Sequence, residues 1–222
     1  VISSASMQFP EFRDTAWVGM GERVLDEHPS EFAHERDAMV ADRFDEWMTQ
    51  RQIEGDVRPW FCFVLLDAPH QPYHNDGGPF QPAAEEIDYI ELGRNGDDPE
   101  LLDKVFNRYR NSVLYADGIA GRILDSLEAS GEMDETLLLV TGDHGEEFNE
   151  CGFWGHTSSF SPPQIDVPFY MRGPGIQPGV ESGATSHLDI PNSLLELLGA
   201  DPAQRKQYSP VSYTHLTLPT RS

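Results

Sequence analysis

An acid and a histidine stand side by side at Asp143 and His144, shortly after the apolar run over residues 137–140. This pair offers one oxygen and one nitrogen donor, a mixture that suits Zn²⁺ or Mn²⁺ better than Ca²⁺, which prefers oxygen ligands alone. Gly142 and Gly145 flank the pair and allow the backbone to bend tightly around an ion. The pattern predicts a divalent metal site, although a solvated turn after a strand would contain the same residues.

Two further histidines are candidates for contact with a substrate. His156 lies in a Trp-Gly-His segment that is typical of an ordered loop, and it could bind a second metal or donate to a phosphate-like oxygen. His70 lies between Pro69 and Pro72, which stiffen its loop, and it is consistent with a donor that orients the substrate. In isolation, each is equally consistent with a loop histidine that has no chemical role.

Composition restricts the partners of the protein. The 222 residues include 15 Lys and Arg against 38 Asp and Glu, which gives a net charge of −23. A field of that sign repels phosphate backbones and argues against nucleic-acid binding. An anionic substrate therefore needs a local positive centre, such as a metal ion. Cys62 and Cys151 stand in no paired motif, so no bridge between them is predicted.

The elements that must position these residues alternate between helices and strands. Apolar periodicity predicts helices over residues 34–51, 100–130 and 190–198, and short apolar runs predict strands over 60–66, 136–140 and 167–171. This order favours the α/β class, with a mainly parallel central sheet and helices on both faces. Because ligands bind beyond the carboxyl ends of parallel strands, Asp67 and His70 are expected at the same sheet edge as Asp143 and His144.

Together these segments resemble the sulfatase-like branch of the alkaline phosphatase superfamily. The matching segments are residues 63–73, 107–113, 139–147, 154–156, 167–169 and 186–191, in agreement of order and spacing from about Phe61 to Leu198. The nearest likeness within the branch is to the periplasmic domain of inner-membrane proteins of the PbgA/YejM type, which govern lipopolysaccharide level.

The resemblance implies a role for each candidate. Asp143 and His144 would bind one divalent ion, namely Zn²⁺, Mn²⁺ or Mg²⁺, with Ca²⁺ less expected. His156 would contact the transferred phosphate or sulfate group, or a second metal, and His70 would line the substrate pocket; both would stabilise charge in catalysis. An Asp-His pair resembles the phosphoryl-transfer members, whereas sulfatases proper more often carry Asp-Asn. The implied function is a metal-dependent hydrolase or transferase of phosphate (or sulfate) esters on envelope lipids or glycans.

Two alternatives stay open: a non-catalytic lipid sensor that retains the fold, and a structural cation site without a substrate. The family's nucleophile follows its first strand, and neither Thr15 nor Ser30 has the surroundings of that motif. Residues 1–210 are therefore expected to be the C-terminal part of a catalytic domain without its nucleophile. Upstream segments would attach the full protein to the periplasmic face of the bacterial inner membrane. Residues 211–222 lack acids and are interpreted as a non-native tail.

Overall fold

The structure, a computed structural model, describes residues 1–8 and 11–205, so the tail predicted over 211–222 lies outside the described residues. The strands are β1 (Ile2–Ser3), β2 (Val64–Leu65), β3 (Leu138–Thr141), β4 (Glu147–Phe148), β5 (Trp154–Gly155) and β6 (Phe169–Arg172). The helices are α1 (Ala33–Glu54), α2 (Tyr89–Asn95), α3 (Pro99–Ala129), α4 (Pro162–Ile165), α5 (Asp189–Leu197) and α6 (Pro202–Arg205). In the described part of the chain, no helix is both long and apolar enough to cross a membrane.

The chain divides into two compact units. The first unit consists of residues 1–133 and 141–168, and the second consists of residues 134–140 and the chain from 169 onward. All four predicted site residues, Asp143, His144, His156 and His70, belong to the first unit. The geometry of the candidate site is therefore fixed within one unit.

The two long predicted helices are confirmed, and they form the main core of the first unit. Val40, Phe44 and Met48 follow one another at four-residue spacing on α1 and are buried against Leu127 of α3 and Ile2 of β1. Burial of each large apolar side chain contributes about 1.5–3 kcal/mol. Helical periodicity therefore predicts these elements because the same side chains set the period and form the core.

Helix boundaries follow local chemistry. The carboxylate of Asp98 accepts the backbone N–H of Glu100 at 3.0 Å and caps α3, whose first residue is Pro99. Helix α1 ends at Gly55, whose φ of 63° lies in the left-handed region that favours glycine. The predicted start of α3 and the predicted end of α1 lie within three residues of the observed ones, because Pro99 and Gly55 are residue types specific to helix ends.

The strands are shorter than predicted. In the apolar run over residues 60–66 only Val64 and Leu65 form a strand, and Phe61 is 71% exposed, so the predicted strand is wrong for that end of the run. Strand β2 pairs in parallel with β1, with Ile2 opposite Val64, and Ile2 also bridges in parallel to Leu25. These pairs are parallel, and a larger, mainly parallel central sheet stays a prediction.

Two other strand pairs occur in the described residues. Strands β4 and β5 form an antiparallel pair in which Glu147 lies opposite Gly155. Strands β3 and β6 pair with each other. The β4–β5 pair was missed in the sequence because each strand has only two residues, too few for an alternating pattern.

The second unit contains the short predicted helix α5. Its first-turn residue Asp189 is buried, and the carboxylate accepts the backbone N–H of Ser186 at 2.8 Å. Gly173 follows β6, and a Cβ atom there would lie 2.7 Å from Cδ2 of Leu137. Close packing therefore explains why glycine ends this strand.

Candidate functional site

The Asp143–His144 pair forms an open corner of the first unit. The side chain of Asp143 is 77% exposed, and its Oδ2 atom lies 3.6 Å from Nε2 of His144. Nδ1 of His144 lies 2.9 Å from the carbonyl oxygen of Gly145. Because a carbonyl oxygen only accepts hydrogen bonds, Nδ1 must carry the proton, and the lone pair of the neutral ring is then at Nε2. One carboxylate oxygen and one imidazole nitrogen are thus available side by side.

Gly145 positions this corner by close packing. A Cβ atom at Gly145 would lie 2.0 Å from the carbonyl oxygen of Pro163, and the backbone N–H of Gly145 donates to Gln164 at 2.9 Å. Neither Gly142 nor Gly145 has a φ in the left-handed region. At Gly145, contact with helix α4 therefore explains the glycine better than the predicted tight bend does.

The structure brings the three predicted histidines together. The rings of His144 and His156 stack with centroids 4.0 Å apart, and the ring of His70 meets that of His156 edge-on at 5.5 Å. Nδ1 of His70 lies 2.9 Å from the carbonyl oxygen of Gln71, and Nδ1 of His156 lies 3.1 Å from Oε1 of Glu146. Each ring is therefore held through Nδ1, which leaves Nε2 for a ligand.

Glu146 is a further residue of the site. As an acid in so acidic a chain it is consistent with a solvated side chain or with one that supports the neighbouring ligands, and in the structure only 6% of the side chain is exposed. Its carboxylate contacts His156 and interacts with the hydroxyl of Tyr73. Burial, followed by the charge of Glu146, raises the pKa of Tyr73 well above its usual range. The only sequence signal was the position of Glu146 two residues after His144.

An acid in so acidic a chain is expected to be solvated, but Glu147 is fully buried. Its carboxylate accepts the backbone N–H groups of Cys151 and Phe153 at 2.9 Å each, the amide of Gln164 at 2.8 Å and the hydroxyl of Ser161. Burial acts to raise the pKa of Glu147, but these hydrogen bonds outweigh it and hold the pKa at about 2. Glu147 thus fixes the loop that leads to His156.

Asp67 has structural partners. Its carboxylate pairs with the guanidinium of Arg36 at 2.9 Å, and its backbone N–H donates to Asp37 at 2.8 Å. Asp37 on α1 is fully buried, and burial raises the pKa of its carboxyl group. These contacts tie the start of the His70 loop to α1, so the role of Asp67 in the structure is to position that loop.

The Asp143–His144 pair fits a divalent ion in part. Two ligands about 2.1 Å from one tetrahedral ion are about 3.4 Å apart, close to the 3.6 Å between Asp143 Oδ2 and His144 Nε2. Metal-binding histidines usually donate their other ring N–H to a carbonyl or carboxylate, as His144 does to Gly145. Among the described residues, no group of three or more His, Cys, Asp or Glu side chains could hold a metal ion. The pair therefore supplies two donors of an incomplete ligand shell.

A model of the sulfatase family matches residues 4–200, and the chain belongs to this family. Members of the family generally use a divalent metal, usually Ca²⁺. The family assignment confirms the broader resemblance inferred from the motifs. The matches do not distinguish the PbgA/YejM-type branch within it.

Individual relatives agree with the family. The low-salt glycan biosynthesis sulfotransferase Agl7 of Haloferax volcanii is 31% identical over an alignment of 153 residues, and the match covers 66% of this chain and 35% of the relative. The choline-sulfatase of Rhizobium meliloti is 29% identical over an alignment of 190 residues, and the match covers 74% of this chain and 37% of the relative. The chain thus spans little more than a third of the length of these relatives.

The fold has a solved counterpart. The crystal structure of a candidate sulfatase, yidJ of Bacteroides fragilis, superimposes with a TM-score of 0.56 at 17% identity and covers 81% of this chain and 39% of that structure. At this level of identity the likeness concerns the fold, which is the alkaline phosphatase-like α/β class that the motifs implied.

Proposed function

We propose that this chain carries part of the active site of a metal-dependent enzyme that hydrolyses or transfers sulfate esters. The observation that carries the proposal is the stacking of the His144 and His156 rings, with centroids 4.0 Å apart, beside Asp143 in a chain of the sulfatase family. The relatives named above are a sulfotransferase and a sulfatase, which favours sulfate esters. The Asp-His pair favoured phosphate esters in the sequence, so phosphate is the second substrate to be tested.

Each predicted residue has a role in this proposal. Asp143 and His144 would hold the ion, which when bound supplies the positive charge that a chain of net charge −23 lacks for an anionic ester. Glu146 accepts the Nδ1 proton of His156, so Nε2 donates to a non-bridging oxygen of the ester when the ring carries a proton on both nitrogens, and His70 adds a second imidazole beside it. The protein thus binds, orients and neutralises the group that is transferred.

The nucleophile and the remaining metal ligands are proposed to lie in the part of the relatives that this chain does not span. The proposal also extends to the whole protein: action at the periplasmic face of the inner membrane, on an anionic envelope lipid or glycan. A sensor that binds such a lipid without turnover is the alternative, and it predicts binding without product.

The test uses the reading frame extended upstream to include the nucleophile segment. Hydrolysis of 4-nitrophenyl sulfate and 4-nitrophenyl phosphate is measured after chelation and after return of Ca²⁺, Mn²⁺, Mg²⁺ or Zn²⁺. We expect activity on the sulfate ester that needs the ion and is lost in His144→Ala. The matched control is His28→Ala, since His28 bonds to the carbonyl of Ser3 and lies outside the histidine cluster. Activity that survives both chelation and His144→Ala would reject the proposal.

A further inference from the structure

We propose that a cavity beside the histidine cluster binds the non-reacting ring of the substrate, a single six-membered ring that presents an apolar face. This inference rests on the proposed function, because the ring is defined as the part of the ester that does not react. The cavity has a volume of about 200 Å³ and lies within the first unit. No predicted site residue lines it.

The lining of the cavity is mainly apolar and aromatic. Tyr73, Leu92 and Val105 contribute to its walls and are themselves buried, whereas Tyr89 is 54% exposed and leaves the cavity accessible to solvent. Trp154 completes the aromatic part of the lining. Flat aromatic walls beside aliphatic ones favour a planar or nearly planar guest with an apolar face over a charged one.

The size of the cavity selects the guest. An apolar cavity of about 150 Å³ is known to accept benzene, so about 200 Å³ accommodates one six-membered ring with a small substituent. Two rings would exceed it. The guest is therefore one ring, either the aryl group of an aryl ester or one sugar residue of a glycan.

Two chain segments place this cavity next to the histidine cluster. Gln71 lines the cavity, and the preceding residue, His70, contacts His156. Trp154 also lines the cavity, and His156 follows it two residues later. The segments meet at Gly155, where a Cβ atom would lie 2.6 Å from Nε2 of Gln71. The cavity and the cluster are thus formed by neighbouring residues of the same two segments, as expected if one substrate molecule occupies both.

Gly93 is a lining residue at which an added Cβ atom meets no steric obstacle. It lines the cavity on α2, and a Cβ atom built there meets nothing within 4 Å. Gly118 on α3 is an exposed helical glycine whose Cβ also meets nothing within 4 Å, and it does not line the cavity. Gly93→Leu and Gly118→Leu therefore make the same substitution in a helix, and only the first adds a side chain to a residue that lines the cavity.

The experiment measures binding by calorimetry to the 222-residue chain with divalent ion present. The probes are phenyl sulfate, glucose 6-sulfate and methyl sulfate, with phenol as a ring that carries no sulfate. We expect at least one ring ester to bind about tenfold more tightly than methyl sulfate, the factor given by about 1.4 kcal/mol. Whichever ring ester binds more tightly shows whether the ring is an aryl group or a sugar residue. Gly93→Leu should abolish the difference, and Gly118→Leu should retain it.

The outcomes separate this inference from the proposed function. If Gly93→Leu retains the full preference for ring esters, the cavity is not the ring site and the inference is overturned. If methyl sulfate fails to bind any variant while phenol binds the wild type and not Gly93→Leu, the ring site stands and the proposed ester site fails. Tyr89→Ala is a second variant, and it should weaken ring binding without changing the binding of methyl sulfate.

Discussion

Two carboxylates four residues apart, Asp143 and Glu147, have opposite surroundings. Asp143 is 77% exposed, and its hydrogen bond is to the backbone N–H of the next residue, His144, at 3.0 Å. Glu147 is fully buried and accepts four hydrogen bonds from the loop after β4 and from the segment that begins α4. The same chemical group therefore has room for an ion in one place and is saturated in the other.

The difference separates the residues that act from those that hold them in place. A saturated carboxylate has no acceptor capacity left for a ligand, but it fixes several donors at once and so rigidifies the loop around it. An open carboxylate beside an imidazole stabilises the fold little, yet it can bind an ion. Functional groups need such rigid support to keep their geometry. Three substitutions and one change of pH test this difference between the two carboxylates and their surroundings.

The largest effect is expected at the open carboxylate. Asp143→Asn removes the charge that would bind the ion, and the loss of several kcal/mol of metal assistance lowers kcat/KM of the extended protein on the order of 1000-fold. The melting temperature should change by less than about 2 °C, as is usual for exposed positions. Enzyme kinetics and thermal melting of the same sample measure both, and unchanged kinetics would contradict the assignment.

The saturated carboxylate should show the reverse pattern. Glu147→Ala leaves the donors of Cys151, Phe153, Ser161 and Gln164 without their acceptor, and we expect the melting temperature to fall by roughly 10 °C. Glu128→Ala, on the exposed face of α3, is the control and should change it by less than about 2 °C. Thermal melting followed by circular dichroism gives the answer. A loss no larger than in the control would mean that Glu147 does not anchor the loop.

Acid should release the same anchor. Because the pKa of Glu147 is lowered to about 2, its ionised form contributes stability that is fully present above the ordinary carboxyl pKa of about 4.3. That contribution is lost as the pH falls through about 2. The difference in melting temperature between wild type and Glu147→Gln should therefore shrink by several degrees as the pH falls from about 4.3 to about 2. Parallel curves would show that Glu147 is not the titrating group.

The smallest effect is expected at Gly155, which lies opposite Glu147 in the β4–β5 pair. Its φ of 77° costs an alanine about 1–2 kcal/mol, and the new Cβ would lie 2.6 Å from Nε2 of Gln71. Gly155→Ala should lower the melting temperature by about 2–8 °C, since 1 kcal/mol corresponds to about 2–4 °C at this size. Gly152→Ala is a control with positive φ but open space, and it separates backbone strain from the contact with Gln71.

The sequence predicts the helices of this molecule far better than its sheet. Val40, Phe44 and Met48 reveal α1 because helical periodicity is local and the same residues form the core. The apolar run over 60–66 predicts a seven-residue strand, but strand length depends on ladder partners that a run of residues does not specify. In the structure Ile2 and Ser3 pair with just two residues of this run, Val64 and Leu65.

The candidate site divides in the same way. Asp143, His144, His156 and His70 were identified because their types and spacing match a family pattern, and the structure brings the three rings into contact. Their roles as ligands and donors stay predictions. Glu146 and Glu147 cannot be told apart from solvated surface acids in the sequence, because an acid is buried only when donors surround it. Those donors come from residues up to 17 positions away, which no local pattern reveals.

Binding of a divalent ion by Asp143 and His144 can be measured by NMR spectroscopy. The readout is the broadening of histidine Cε1–H resonances when substoichiometric Mn²⁺ is added to the 222-residue chain. If Asp143 and His144 hold the ion, the signals of His144 and the stacked His156 broaden first while that of His28 stays sharp, and Asp143→Asn removes the selectivity. Uniform broadening of all histidines, or the same selective pattern in Asp143→Asn, would contradict a metal site at this pair.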